Sequence, residues 1–203
     1  MKHFFHKSTD HPHTFVLLHG SGGRESDLLS VVGEIDVRQS VLGIRGSVRD
    51  HGGFRHFERQ TDGKFDREEI NQRTEEVLHV IEDYVQHNQV NRKHIHLLGY
   101  SNGANLAVNM ILQQPELFSS ALLFHPSHLY PEAERSDLSG MPIFMTSGSR
   151  DAITPPGEAY ALRQQLETFG ADVTVELTDH GHELTNKEVD IAASWWNKGL
   201  ASH

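Results

Sequence analysis

Ser101 stands between two glycines in the stretch Gly99-Tyr-Ser-Asn-Gly103, where the apolar run HIHLLGY (94 to 100) gives way to the apolar segment NGANLAVNMILQ. A serine hydroxyl is a weak nucleophile at neutral pH unless a general base takes its proton and a third group orients that base. A Gly-x-Ser-x-Gly turn between a strand and a helix suits that chemistry. It lifts the hydroxyl clear of the backbone, and its glycines let strand and helix meet closely. The following amide, that of Asn102, sits at the positive end of the helix and is aimed at the same space. The same five residues could form an ordinary tight turn, so the chemical reading depends on partners further along the chain.

Those partners are present in the order serine, acid, histidine. The segment SGSRDAITPP (147 to 156) follows the apolar run PIFMTSG and places Asp151 beyond its carboxyl end, with Asp137 and Asp179 as alternative acids. The segment DHGHELT (179 to 185) follows DVTVELT and offers both His180 and His182, which the residue pattern alone does not separate because Gly181 lies between them. Upstream, LLHGSGGRESDLL (17 to 29) leaves the first long strand with Gly20, Gly22 and Gly23, a loop able to turn backbone N–H groups toward an anion. It lacks the Gly-x-x-x-x-Gly-Lys-Ser/Thr pattern of a phosphate loop, so a cradle for a transient oxyanion fits better. The amides of Ser21 and Asn102 are the natural pair of donors. His19 reads as a buried imidazole bonded to loop backbone. Metal binding by His19, His125, His180 and His182 lacks His-x-x-x-His spacing, and neither a metal nor an organic cofactor is expected.

The elements that must position these groups alternate along the chain. FVLLHG (15 to 20), VLGIRG (41 to 46), HIHLLGY (94 to 100), SALLFHP (120 to 126), PIFMTSG (142 to 148) and DVTVELT (172 to 178) read as strands covered on both faces. KHFFHK (2 to 7) is an additional edge strand. Helices are expected over 66 to 89, opened by Asp66 and Glu69 as a capping box, and over 102 to 114, stopped by Pro115. A third covers 157 to 169 and ends at Gly170, and the last starts at Thr185 with Glu188 three residues on. Its Val189, Ala192, Trp195 and Trp196 face the sheet, the tryptophans as anchors rather than a dimer face. The result is an α/β fold with a mostly parallel sheet of about six or seven strands between helices, whose sites gather at the strands' carboxyl ends. Without a long insertion there is no large lid, and the cleft should be short and open. Phe54 and Phe57, in HGGFRHFERQ (51 to 60), are candidates for an acyl or aryl wall, or else pins that hold the loop to the core. His125, Leu129 and Ile153 could complete the pocket.

Composition narrows the partners. With 203 residues the chain is read as one domain, 1–203. Its 18 Lys and Arg against 28 Asp and Glu give a formal charge of −10, and no basic run exists to displace counterions from a nucleic acid. The absence of cysteine removes disulfides and thiolate metal sites and fits a reducing cytoplasm. The opening MKHFFHKSTDHPH has too short an apolar stretch for a signal peptide, and no later run is long enough to span a membrane. The 16 histidines are scattered, as expected of solvated surface that gains charge below pH ~6.5. The partner expected is a small-molecule ester; the oligomeric state stays open, a homodimer included.

LLHGSGG, GYSNGANLA, GSRDAITP and HGHEL, in this order and at these separations, resemble the carboxylesterase/phospholipase family of α/β-hydrolases, which includes the acyl-protein thioesterases. GYSNGAN, the segment GGFRHFERQTDGKFDREEI (52 to 70) and LLFHPS are most similar to the hydroquinone-responsive bacterial hydrolases of the MhqD type, associated with quinone resistance. The resemblance implies a serine carboxylesterase with Ser101 as nucleophile, Asp151 as acid and His182, not His180, as base, and with Ser21 and Asn102 as oxyanion donors. LFHPSHLYP departs from the more usual leucine-rich turn, and Asn105 stands where glycine or alanine is common. A thioesterase or C–C hydrolase would share every motif, and a ligand-binding relative with a relict triad would share most of them.

Overall fold

The computed structural model describes residues 1–9, 11–59 and 65–199. In chain order the elements are β1 (His3–His6), β2 (Thr14–Leu18), α1 (Leu29–Asp36), β3 (Ser40–Ile44), β4 (Val48–Asp50), β5 (Gly53–Arg55) and α2 (Arg67–Asn88). There follow β6 (Ile95–Tyr100), α3 (Asn102–Gln113), β7 (Ser120–Phe124), β8 (Pro142–Gly148), α4 (Pro156–Thr168), β9 (Asp172–Thr178) and α5 (Asn186–Gly199). Seven strands form one sheet in the order β1-β3-β2-β6-β7-β8-β9. All neighbours are parallel except β1, which lies antiparallel on β3.

Side-chain alternation divides the core into two layers. Val16, Leu18, Leu97, Ala121 and Leu123 face α2, α3 and α4, whereas Phe15, Leu17, Leu98, Leu122 and Phe124 face α1 and α5. Both layers are apolar, which is why these strands read as continuous rather than alternating runs. Trp196 is fully buried in the second layer, and Trp195 is partly buried there beside Phe144.

Asp66 caps α2 through its Oδ1, which accepts from the amides of Glu68 and Glu69. Glu69 turns its carboxylate to the amide of Glu58 and so ties the helix start to the preceding loop. Two elements lie outside the sequence expectations. α1 has no side-chain cap and is only eight residues long, and the β4–β5 hairpin joins three-residue strands through His51 and Gly52, both at positive φ. The strands expected over 15 to 20, 41 to 46 and 120 to 126 are shorter than expected at their carboxyl ends, where HG, RG and HP leave the sheet as loops.

At the opposite end from the strands' carboxyl termini, His13 Nδ1 lies 2.9 Å from His96 Nε2, and His96 Nδ1 lies 2.7 Å from Ser120 Oγ. Trp196 packs edge-on against His96. Burial, reinforced by His13 and His94, pushes the His96 imidazole down to about 3. A histidine whose folded value is depressed stabilises the fold while neutral, and that contribution is lost as pH falls below its unfolded value of about 6.5. Unfolding free energy should therefore fall by up to about 1.4 kcal/mol per pH unit from this group between pH ~6.5 and ~4. Urea titrations across that range should show His96→Gln less stable at neutral pH but with a shallower acid slope; an unchanged slope would contradict this.

Candidate active site

Strand β6 runs into α3 through Ser101, which adopts φ 51 and ψ −115, a region that L residues rarely occupy. The turn is held by the Ser101 amide, which donates to the Phe124 carbonyl at 2.8 Å, and by the Ser101 carbonyl, which accepts from Asn105 N at 3.0 Å. The flanking glycines are sterically required. A Cβ on Gly99 would lie 2.7 Å from Ala104 Cα, and one on Gly103 would be driven into the Leu18 carbonyl and within 2.6 Å of the His19 carbonyl.

The turn delivers Ser101 Oγ to 2.7 Å from His182 Nε2, and His182 Nδ1 lies 2.7 Å from Asp151 Oδ2. Nδ1–H donates to the carboxylate, so Nε2 is left to receive a proton from the serine. Asp151 Oδ1 accepts from the amides of Ile153 and Thr154, both at 2.8 Å. Burial pushes the Asp151 carboxyl up, but the Thr154 amide and the imidazoles of His182 and His125 outweigh it and hold the group below the usual carboxylate range. Tyr100 donates its hydroxyl to the His182 carbonyl at 2.7 Å and fixes the loop that carries the histidine. The other acids and the other histidine suggested by the sequence lie elsewhere. His180 faces Glu183 at 4.0 Å, Asp179 pairs with Arg150, and Asp137 caps the exposed Ser139.

Ser21 and Asn102 border the same cleft, as their proposed role as amide donors requires. The Asn102 side chain does something separate, since its Oδ1 accepts from the His56 amide at 2.7 Å and its Nδ2 donates to the Phe57 carbonyl at 3.2 Å. His19 is bonded at both nitrogens, Nδ1 donating to the Gly20 carbonyl and Nε2 accepting from the Gly46 amide. It is a neutral strut for the glycine loop, and burial pushes its imidazole down.

The cleft has a volume of about 370 Å³. Of the five side chains expected to wall it, Ile153 does so and is 61% exposed at its rim. Phe57 is instead fully buried in the core, where it pins the loop, and Phe54 lies under the guanidinium of Arg45, 4.1 Å from the ring centre, beside a different hollow. Leu129 packs on the core from the outside. His125 lies behind Asp151 rather than in the cleft, with no exposed surface. The walls are formed by residues that strand-end placement did not identify: Arg55, Arg59 and Phe65 on one side, Asn105, Ser127 and Thr154 on the other. The two arginines were visible in HGGFRHFERQ without a position; of that segment and its continuation to Ile70, residues 60–64 lie outside those described. A separate groove of about 440 Å³ between α1 and α5 is lined by Asp27, Glu34 and Asp190, away from Ser101 and His182.

Donor atoms of His125, Asp151 and His182 lie within 4.8 Å of one another, the spacing of a metal site. Both imidazoles direct Nδ1–H at the same carboxylate oxygen, so these donor atoms are engaged with one another, in the protonation state of a hydrogen-bonded line.

The profile of the dienelactone hydrolase family matches residues 48–197. MhqD of Bacillus subtilis, a protein named as a hydrolase, is 36% identical over 200 residues, 98% of this chain and 100% of that protein. The solved carboxylesterase of Bacillus cereus superposes with a TM-score of 0.93 at 35% identity, covering 98% of this chain and 94% of that one. The carboxylesterase of Mesorhizobium loti gives a TM-score of 0.87 at 28% identity, covering 93% and 90%.

Gly103→Ala should lower the unfolding free energy by about 1–3 kcal/mol or more, because the methyl meets backbone carbonyls that cannot rotate away. Urea denaturation measures it; a variant as stable as the parent would mean the strand-helix crossing is looser than described.

Proposed function

Since this chain belongs to the dienelactone hydrolase family and is a carboxylesterase-type hydrolase, we propose that Ser101, His182 and Asp151 hydrolyse a carboxylic ester through an acyl-enzyme intermediate. The observation that carries this reading is the continuous line from Ser101 Oγ to His182 to Asp151, two contacts of 2.7 Å each. Ser101 attacks the ester carbonyl while His182 Nε2 takes its proton, and Asp151 holds the tautomer and stabilises the imidazolium. His182 then gives the proton to the leaving alcohol. Water enters, gives its proton to His182, attacks the acyl-enzyme and releases the acid. The amides of Ser21 and Asn102 are assigned to the oxyanion of both tetrahedral intermediates.

The size and lining of the cleft support a short acyl or aryl ester. Its apolar surface comes from Phe65, Tyr100 and Ile153, and its remaining walls carry arginines, amides and hydroxyls. A long acyl chain would have little apolar surface to follow. The substrate is thus a small molecule, and no helix among the described residues is long and apolar enough to cross a membrane. The likeness of GYSNGAN and GGFRHFERQ to the hydroquinone-responsive hydrolases supports a setting in quinone stress and favours an aryl ester.

p-Nitrophenyl esters from acetate to octanoate test the reading. Turnover should peak at the short chains and fall to background in Ser101→Ala. Asp151→Asn should lose on the order of 10⁴-fold in kcat, the scale seen when a triad acid is neutralised. Equal rates in parent and Ser101→Ala would remove Ser101 as the nucleophile, and a maximum at octanoate would remove the short-pocket assignment.

A further inference from the structure

The line of charge does not stop at Asp151. His125 follows β7 at φ 54, an unfavourable conformation for a residue other than glycine, and its amide donates to the Thr146 carbonyl at 3.1 Å. The conformation carries its ring behind the Asp151 carboxylate. Nδ1 lies 3.0 Å from Asp151 Oδ2, the oxygen that His182 also uses, and Nε2 lies 2.9 Å from Glu188 Oε1. The latter contact is short but not aligned as a hydrogen bond, and it becomes an ion pair when the ring is protonated. The side chains of His125, Asp151 and Glu188 have no exposed surface. Glu188 is itself anchored, its Oε2 accepting from the amide and hydroxyl of Thr185 at 2.9 Å each.

A neutral imidazole in this position would present a lone pair to one of two buried carboxylate oxygens. Only the doubly protonated ring both donates from Nδ1 to Asp151 and places positive charge, rather than a lone pair, 2.9 Å from Glu188 Oε1. We propose that His125 is a buried imidazolium clamped between Asp151 and Glu188, and that it acts as a positioning residue which fixes the Asp151 carboxylate and opposes its field on the imidazole of His182. Burial pulls the His125 imidazole down, but Glu188 and Asp151 outweigh it, so the group is raised overall. Burial likewise pushes Glu188 up, and His125 outweighs it, leaving that carboxyl low. Both directions agree with the geometry. The inference rests on the triad assignment for its kinetic consequence, though not for the charge state itself.

The His125 and His182 rings are 5.3 Å apart between centres. The other titratable groups around them are Tyr100, whose phenol burial, Asp151 and Glu188 push up, Glu183 and His180 on the histidine loop, and Arg55 and Arg59 across the cleft. Among these, His125 is the cation directly behind the triad acid. At an effective dielectric of about 20, removing its charge should favour the protonated, inactive form of the base by on the order of one to two pH units.

Two measurements test this. Long-range ¹H–¹⁵N spectra of the intact protein should show both His125 ring nitrogens protonated from pH 6 to 8; a neutral-ring pattern at pH 7 would overturn the proposal whether or not the protein hydrolyses esters. His125→Asn tolerates positive φ and keeps a donor toward Asp151 but removes the charge. Its kcat/KM for p-nitrophenyl acetate should show the acid limb moved upward by about one to two pH units. His125→Asn combined with Glu188→Gln removes the stranded carboxylate and should retain an upward shift. A uniform loss of rate at every pH, with the limb unmoved in a folded variant, would mean that His125 is structural only.

Discussion

Backbone crowding where β6 meets α3 is the constraint on which the rest of the site depends. Gly103 packs against the Leu18 and His19 carbonyls at the end of β2, so α3 can start only where no side chain intervenes. This close approach brings the glycine loop carrying Ser21 and the helix start carrying Asn102 to one side of the sheet. It also leaves Ser101 at φ 51, a conformation that costs on the order of 1–3 kcal/mol and is recovered through the hydrogen bonds to Phe124 and Asn105. Ser21, Ser101 and Asn102 thus border one cleft because of a steric limit, before any side-chain chemistry is considered.

The opposite wall is organised by buried charge. Asp151 is 4% exposed and keeps its negative charge because two amides and two imidazoles surround it. The loops after β8 and β9 are packed to maintain that arrangement. Arg150 donates its amide to the His180 carbonyl at 2.9 Å, and Gly148 faces the Gly181 backbone with no room for a side chain. The capping box at the start of α5 extends the same network inward, since one oxygen of Glu188 serves the cap and the other serves His125. A helix terminus is therefore tied through His125 to Asp151, and perturbing either should affect both stability and the charge of the site.

The layout of the sheet was legible in the sequence because apolar runs covered on both faces leave little alternative, and PIFMTSG and DVTVELT match β8 and β9 at both ends. The placement of Ser101 and Asp151 just beyond strands was legible for a related reason, since sites gather there in such sheets, whereas His182 was told from His180 by the family resemblance alone. What was hidden depended on side-chain direction. His125 and Phe57 lie at or near strand ends like the site residues, yet one turns behind Asp151 and the other into the core. Glu188 signalled only a cap, and its second partner is distant in sequence. Helix α1, with no capping side chain, and the short charged hairpin β4–β5 lacked the periodicity that marks longer elements.

The central claim is that Ser101 is activated by His182. Intact-mass spectrometry after treatment with a fluorophosphonate at neutral pH tests it directly, because the reagent traps a serine only when its hydroxyl is made nucleophilic. One phosphonate per chain, mapped to Ser101, absent in Ser101→Ala and formed far more slowly in His182→Gln, is the expected result. No adduct on the folded parent, or an adduct that persists in Ser101→Ala, would contradict it.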